Sequence, residues 1–344
     1  MKPVTIIGGG LAGLSLGIGL RERSVPTVVW EAGSYPRHRV CGEFISGHGQ
    51  ETLRRLGLLE RVLGEGARTA RIAAFFSRQK LYFMRALPQP ALVISRYRLD
   101  ALLARTFQEL GGELRCGKRY DSNTDAIGLV RASGRRLQNA GPEAWRWFGL
   151  KGHAHKVTLM ADLEMHLIPN GYVGLCRLDD GKVNVCGLFR RKPGGAALPQ
   201  SILDRLRGEP GSLLYQRLEA AEFDQESCCA VGGLELKPQR ARDLRECSVG
   251  DALTMIPPVT GNGMSMAFES AELALPGLTA FAQGETDWEI ACRDIAQKSD
   301  AAFRSRLWCA ARLQQALVHR SLAHVLGWAA NWESCWRFFF RATR

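Results

Sequence analysis

The 344-residue sequence predicts an α/β protein: a parallel-sheet domain assembled from separated segments, an antiparallel sheet inserted into it, and a helical C-terminal segment. Three observations carry that prediction. A buried-strand run, Val4, Thr5, Ile6 and Ile7, opens directly into Gly8-Gly9-Gly10-Leu11-Ala12-Gly13. Short β-like runs parted by turn signals, Pro169-Asn170-Gly171 and Asp179-Asp180-Gly181 among them, fill residues 156–189. Strand-turn-helix grammar returns at residues 247–275, and residues 288–340 then read as largely helical and rich in Arg and Trp.

Taken in order, the first element is a phosphate cradle. Gly8 permits a tight turn out of the strand, Gly10 lets backbone approach a pyrophosphate, and Gly13 lets the next helix pack close to the sheet. That helix begins at Leu11 and Ala12, so its unpaired N–H groups and positive dipole end face the anion. Residues 25–30 read as a second strand, with Glu31 at its carboxyl end, 18 residues after Gly13. A carboxylate there accepts hydrogen bonds from an adenosine ribose and repels a 2′-phosphate. Strand, glycines, helix and acidic terminus together predict dinucleotide binding in a Rossmann-like domain.

Residues 35–46 read as a polar, glycine-containing loop, and residues 50–63 have helical spacing through Leu53, Leu56, Leu59 and Val62. Residues 70–83 alternate as a strand pair does. Leu99, Leu102, Leu103, Phe107 and Leu110 mark another helix, which Gly111-Gly112 ends. The expected division is a discontinuous nucleotide-binding domain in residues 1–70, 91–140 and 245–285, a substrate domain in 71–90 and 141–244, and a helical segment in 286–344.

Composition narrows the function classes. A hydrophobic content of 46% suits a globular protein with a sizeable core, and no run of 18 apolar residues marks a membrane span. The glycine cradle begins within seven residues of Met1, which leaves no room for a secretory signal and predicts a cytoplasmic protein. Ten cysteines show no CxxC pair, and Cys228-Cys229 are adjacent, a pattern of reduced packing thiols rather than a disulfide framework or zinc site. The formal charge of +12 is spread along the chain without a nucleic-acid module, so nucleic acid is not an expected partner. A phosphate-rich cofactor, an anionic substrate or a membrane surface accounts for it as well as a solvated basic surface does.

A second constellation lies at residues 248–264. Ser248-Val249-Gly250-Asp251 combines a strand end with a carboxylate suited to a ribityl hydroxyl. Pro257-Pro258-Val259-Thr260-Gly261-Asn262-Gly263-Met264 follows, with free backbone N–H groups suited to negative charge on a reduced flavin.

These two motifs resemble those of the FAD-dependent oxidoreductases of the aromatic-hydroxylase superfamily, the group A flavin monooxygenases. Pro36-Arg37-His38-Arg39-Val40-Cys41-Gly42-Glu43 and Ile94-Ser95-Arg96-Tyr97-Arg98-Leu99-Asp100 are similar to its geranylgeranyl reductase-like branch. The resemblance covers about residues 1–280 and implies non-covalent FAD under a sheet-based substrate domain. It assigns Gly8, Gly10, Leu11, Ala12, Gly13 and Glu31 to the ADP half, and Arg39 and Arg96 to the phosphates or ribityl chain. Gly250 and Asp251 fall at the middle of the cofactor, and Cys41, Gly42, Pro258, Gly261, Asn262, Gly263 and Met264 at the flavin. Where the hydroxylases carry an Asp-Gly motif toward NAD(P)H, this chain has Ser133-Gly134, which makes NAD(P)H a less secure donor than FAD is a cofactor. The stretch between Gly112 and Ala132 is short, so this part of the sheet should be trimmed. Trp145-Arg146-Trp147 lacks the Ile-Pro expected of a flavin halogenase.

The expected function is oxygenation of a hydrophobic, aromatic or polyketide-like small molecule through reduced flavin and O2. The alternatives are reduction of isoprenoid double bonds, favoured by Cys41-Gly42-Glu43, then halogenation or a non-catalytic FAD-binding subunit. No catalytic side chain is required beyond the flavin; Cys41 and His153 are the candidates, and no metal set is evident because His153 and His155 lack a third ligand. Near the C-terminus, Trp308, Trp328, Trp332, Trp336 and residues 338–340 interleave with Arg304, Arg306, Arg312, Arg320, Arg337, Arg341 and Arg344. That pattern suits packing against the FAD domain, and it also suits peripheral contact with the inner face of a membrane.

Overall fold

The computed structural model describes residues 1–77, 79–121, 126–135, 145–192, 201–234, 236–318 and 329–344. Two sheets and a set of helices organise them. The first sheet grows from β1 (Val4–Ile7), α1 (Leu11–Glu22) and β2 (Thr27–Glu31), with β1 and β2 parallel and Val4, Ile6 and Val29 fully buried. Residues 11–20 of α1 are all buried, which fits an apolar helix wedged against neighbours on several sides. Gly17 and Gly19 admit those neighbours, for a Cβ would press on Phe107 and Leu275.

The chain next forms β3 (Phe44–Ile45), α2 (Gly49–Arg55), α3 (Leu59–Gly64), β4 (Arg68–Phe76) and β5 (Leu81–Val93). Helix α4 (Arg96–Glu109) follows, opened by the Ser95 hydroxyl accepting from Arg98 N. Short strands β6 (Glu113–Cys116) and β7 (Leu129–Arg131) complete a four-stranded parallel sheet in the order β6-β2-β1-β7. Ser248 adds an isolated parallel bridge to Arg131 at its edge. Residues near 248 thus return to this sheet.

The second sheet takes β8 (Arg146–His155), β9 (Leu163–Ile168), β10 (Gly171–Arg177) and β11 (Val183–Arg191), then, after α5 (Ile202–Arg207) and α6 (Leu213–Leu218), β12 (Glu222–Leu234). Its order is β12-β8-β11-β10-β9-β4-β5-β3. The sheet is antiparallel as expected except at one pairing, where β4 and β9 run parallel, from Ala73 beside Leu163 to Phe76 beside His166. Strands joined by tight turns must be antiparallel, but β4 and β9 meet from segments separated by α4 and half of the first sheet. Strands β4 and β5 also run unbroken past residues 71 and 90, where the division between domains was expected.

Side chains alternate across this sheet. Leu150, Ala154, Val173, Leu175, Val183, Val185 and Phe189 form a core with Leu206, Leu214 and Leu218 on one face. On the other face the register aligns Lys151 with Cys186 and Cys229, and His153 with Asn184. This second face meets the loop between β2 and β3, since a Cβ on Gly149 would press on Val40 and the Asn184 Nδ2 donates to Cys41 O at 2.9 Å.

Helix α7 (Gly263–Gln283) lies against α1, α8 (Trp288–Val318) against α7, and α9 is Glu333–Ala342. Trp336 and Phe340 of α9 are buried against Phe75 and Phe83, and Trp336 Nε1 donates to Ala86 O at 3.0 Å. No helix among the described residues is long and apolar enough to cross a membrane.

Candidate flavin site

The glycine cradle is built by contact as well as sequence. Gly8 sits at φ +108°, and a Cβ there would collide with the Ala132 backbone; a Cβ on Gly13 would collide with Gly8 O. Gly10, by contrast, faces open space and begins α1 without a side-chain cap, so the first N–H groups of the helix at Leu11, Ala12 and Gly13 keep their capacity for an anion. Glu31 buttresses this turn. Its Oε2 accepts from Gly9 N at 2.9 Å, and its Oε1 accepts from Gly33 N at 2.8 Å and Arg37 Nη1 at 2.6 Å. Burial would raise this carboxyl, but Arg37 and the two amides outweigh it and hold the pKa at about 2. Tyr35 closes the turn, its hydroxyl donating to Gly9 O at 2.5 Å while Arg37 lies over its ring. Arg39 is only 3.9 Å from Glu31 and half exposed.

The second motif abuts the first. Gly250 adopts φ +63° and donates to Ser270 Oγ at 2.8 Å; a Cβ there would press on Ala12 Cβ at 2.8 Å, so the two cradles touch. Asp251 follows at the surface, yet the surrounding protein raises its carboxyl against the pull of Arg96 and Arg135. Arg96 is committed to Asp100, donating at 2.6 and 2.9 Å, and Asp100 is fully buried.

Pro258 opens a single 3-10 turn ended by Gly261 at φ +65°, whose missing side chain leaves room for the Phe44 ring. Ser46 Oγ donates to Gly261 O at 3.1 Å. Asn262 precedes α7 and donates from Nδ2 to Thr343 O at 3.0 Å, while its buried Oδ1 has no partner among the described residues. Gly263 is half-buried and Met264 is buried in the core shared with α1. The open Gly10, the uncapped helix start, the orphaned Asn262 oxygen and the contact between the two cradles fit an elongated cofactor with a phosphate at one end and a polar ring at the other.

Beside the Gly261 turn lies a buried polar cluster that sequence reasoning only half anticipated. Glu43, next to Phe44, is fully buried at φ +60°. Its Oε1 accepts from Lys151 Nζ at 2.9 Å and Arg96 N at 2.9 Å, and its Oε2 meets His153 Nε2 at 2.7 Å. Lys151 Nζ also reaches His38 Nδ1 at 3.2 Å. Burial would raise the Glu43 carboxyl, but His153, Lys151 and the Arg96 amide lower it overall. Burial, Lys151 and His153 push His38 down to about 4, so its ring is neutral near pH 7. Cys41 lies in this region with its thiol held protonated by burial, which disfavours it as a nucleophile. Gly42 joins Cys41 to Glu43 and is half-buried. His153 was singled out from the sequence as half of an HxH pair. Lys151 and His38 were not, because nothing local marks residues more than a hundred positions apart as partners. His153 binds a carboxylate and no metal-capable cluster of His, Cys, Asp or Glu exists among the described residues.

The Ser133-Gly134 pair follows β7 after Ala132, with Gly134 at φ +80° and facing open space. The start of the substrate domain at residues 141–144 lies outside the described residues.

A family profile described as "FAD binding domain" matches residues 1–143. No curated protein matches the sequence. Among solved structures, PqsL of P. aeruginosa, in complex with 2-aminobenzoylacetate, is 16% identical with a TM-score of 0.72, over 94% of this chain and 98% of that one. The flavin-dependent brominase Bmp2 is 15% identical at TM-score 0.72, over 99% of this chain and 92% of that one. A flavoprotein/dehydrogenase from Cytophaga hutchinsonii is 16% identical at TM-score 0.73, over 99% and 91%. A second structure of PqsL, a probable FAD-dependent monooxygenase, is 16% identical at TM-score 0.70, over 93% and 97%. The N-terminal 143 residues thus match an FAD binding domain, and the chain as a whole shares the fold of these flavoproteins.

Proposed function

We propose that the protein is a monooxygenase that uses reduced FAD and O2 to oxygenate a hydrophobic, aromatic or polyketide-like small molecule. The observation that carries this reading is the contact of the two cradles at Ala12 and Gly250, which serves both halves of one FAD beside a buried sheet face. When bound and reduced, FAD supplies the two electrons that activate O2. The chain supplies position: Gly10 to Gly13 for the pyrophosphate, Glu31 for the adenosine end, Asp251 for the ribityl chain, and the turn from Pro258 to Met264 for the ring. Phe44, Cys176 and Cys186 border the buried face and exclude water from it.

The test begins with FAD. Asp251→Ala should weaken FAD by about 1–3 kcal/mol, roughly 5- to 150-fold in Kd, through loss of a charge-assisted hydrogen bond. Wild-type affinity in that variant would remove Asp251 from the site. Substrate-stimulated O2 uptake with an oxygenated product then distinguishes this reading from a reductase of isoprenoid double bonds, the second reading, which rests on Cys41-Gly42-Glu43. The donor is taken to be NAD(P)H. With Ser133 where relatives carry an acidic residue, we expect oxidation of NAD(P)H to be faster when a separate flavin reductase is added than with the chain alone.

A further inference from the structure

We propose that Lys151 and His38, held in place by Glu43, form a proton exit from the buried face of the large sheet to solvent, serving a substrate that sheds an O–H or N–H proton. The proposal rests on the flavoenzyme reading and adds to it a chemical class of substrate and two residues for it.

The geometry is that of a relay. Lys151 Nζ bridges Glu43 Oε1 at 2.9 Å and His38 Nδ1 at 3.2 Å. Lys151 and Glu43 are wholly buried, whereas His38 is half-buried and stacks on Tyr97, itself 40% exposed. An ammonium can only donate, so Nδ1 of a neutral His38 is the acceptor and its Nε2 carries the hydrogen. The groups facing His38 are Lys151 and His153 from β8, Glu43 from its own loop, Asp224 from β12, and the Tyr97 ring from α4. Stability does not explain the arrangement. A fully buried Lys–Glu pair is on average no more stabilising than apolar residues of the same volume.

A second observation points to a ligand on the same face. In register with Lys151 and His153 lie Cys186 and Asn184 on β11, and opposite these Gly174 and Cys176 on β10, with Tyr172 two residues further along. Asn184 donates to Cys41 O, which fixes its amide, and its buried Oδ1 has no partner among the described residues. The Tyr172 hydroxyl, on a 7% exposed residue, has none either. Gly174 sits between Tyr172 and Cys176 on β10 and brings no side chain to this face. An orphaned amide oxygen calls for a donor, which is what an O–H or N–H group supplies.

The step balances without electron transfer. The substrate's acidic hydrogen passes to Lys151 as Lys151 gives one Nζ hydrogen to His38 Nδ1, and His38 releases its Nε2 hydrogen to water. One proton leaves, the substrate becomes an anion beside the Lys151 ammonium, and Glu43 stays ionised throughout. A turn of the imidazole ring resets the relay.

The probe is 4-nitrophenol, whose ionised form is read by its absorption, with 4-nitroanisole as the control lacking the acidic hydrogen. Added to FAD-loaded protein below its solution pKa, 4-nitrophenol should bind in the phenolate form and release a proton, measured in a weakly buffered indicator solution by stopped flow. His38→Gln should slow that release at least tenfold with FAD still bound, and added imidazole should restore it. The double change Glu43→Gln with Lys151→Met, which removes both charges together, should leave the probe bound in its neutral form. The relay is overturned if 4-nitrophenol fails to bind, binds as the neutral phenol to the unmutated protein, or releases its proton at an unchanged rate in His38→Gln. A protein that takes up no FAD overturns the flavoenzyme reading and the relay with it, whereas FAD binding with any of those failures overturns the relay alone.

Discussion

At the scale of single residues, the buried Glu31 and the half-buried His38 each contribute to the acid sensitivity of the protein. The Glu31 pKa lies at about 2, below the ordinary 4.5, so its stabilising contribution is complete at neutral pH and fades as pH falls from 4.5 toward 2. His38 is lowered to about 4 from 6.5. The unfolded chain therefore binds a proton first, and this contribution is lost as pH falls from 6.5 to 4. Urea midpoints measured against pH should decline in both windows. His38→Gln should flatten the upper window and Glu31→Gln the lower one; an unchanged profile in either variant removes that residue from the account. At neutral pH, Glu31→Gln should also cost about 1–3 kcal/mol, because Arg37 and two amides lose a charged acceptor. Glu31 could be read from sequence because a strand, a glycine turn and a helix fix its place locally. Glu43 could not, for its meaning comes from Lys151 and His153 on a strand more than a hundred residues later.

At the scale of elements, the junction of β1 with α1 is the most exacting. Gly13→Ala would set a methyl group into Gly8 O, so α1 must back away from the cradle. We expect a loss of about 1–3 kcal/mol from overpacking, together with a large loss of FAD affinity. Retention of FAD by that variant, seen by absorbance after gel filtration, would show that the close approach is dispensable. Helix α9 makes the opposite kind of contact: Trp336 fills a site among Phe75, Phe83 and Phe340, and Trp336→Ala should cost about 3–5 kcal/mol in urea unfolding. The β1-α1-β2 unit was fully legible because its contacts are local. The parallel pairing of β4 with β9 was not, since alternation along a strand reveals its two faces but not its neighbour.

At the scale of the whole molecule, the question is where a formal charge of +12 is displayed. Helix α9 answers part of it. Its inner face is anchored through Trp336 and Phe340, and beyond its last turn Arg344 donates to Ser46 Oγ at 3.1 Å and Thr260 O at 3.0 Å, with burial lowering its pKa to about 9. The tail therefore packs against the turn that ends at Gly261. Its outer face nonetheless presents Phe338, 65% exposed, between Arg337 and Arg341, with Trp332 at 55% just before the helix. On α8, Trp308 is 61% exposed and lies beneath Arg312. Rings and guanidinium groups side by side suit the headgroup level of an anionic bilayer, from which a lipid-soluble substrate could be collected. Truncation would strip cover from Phe75 and Phe83, so the informative change is on the outer face: Phe338→Ser with Arg337→Gln and Arg341→Gln. We expect the parent protein to co-sediment with vesicles containing phosphatidylserine and to dissociate as salt rises, because screening weakens surface charge attraction. The triple variant should stay in solution with its FAD and its unfolding midpoint intact. A parent protein that ignores such vesicles at low ionic strength would leave α9 with its packing role alone and assign the surplus charge to the cofactor, the substrate or the solvated surface.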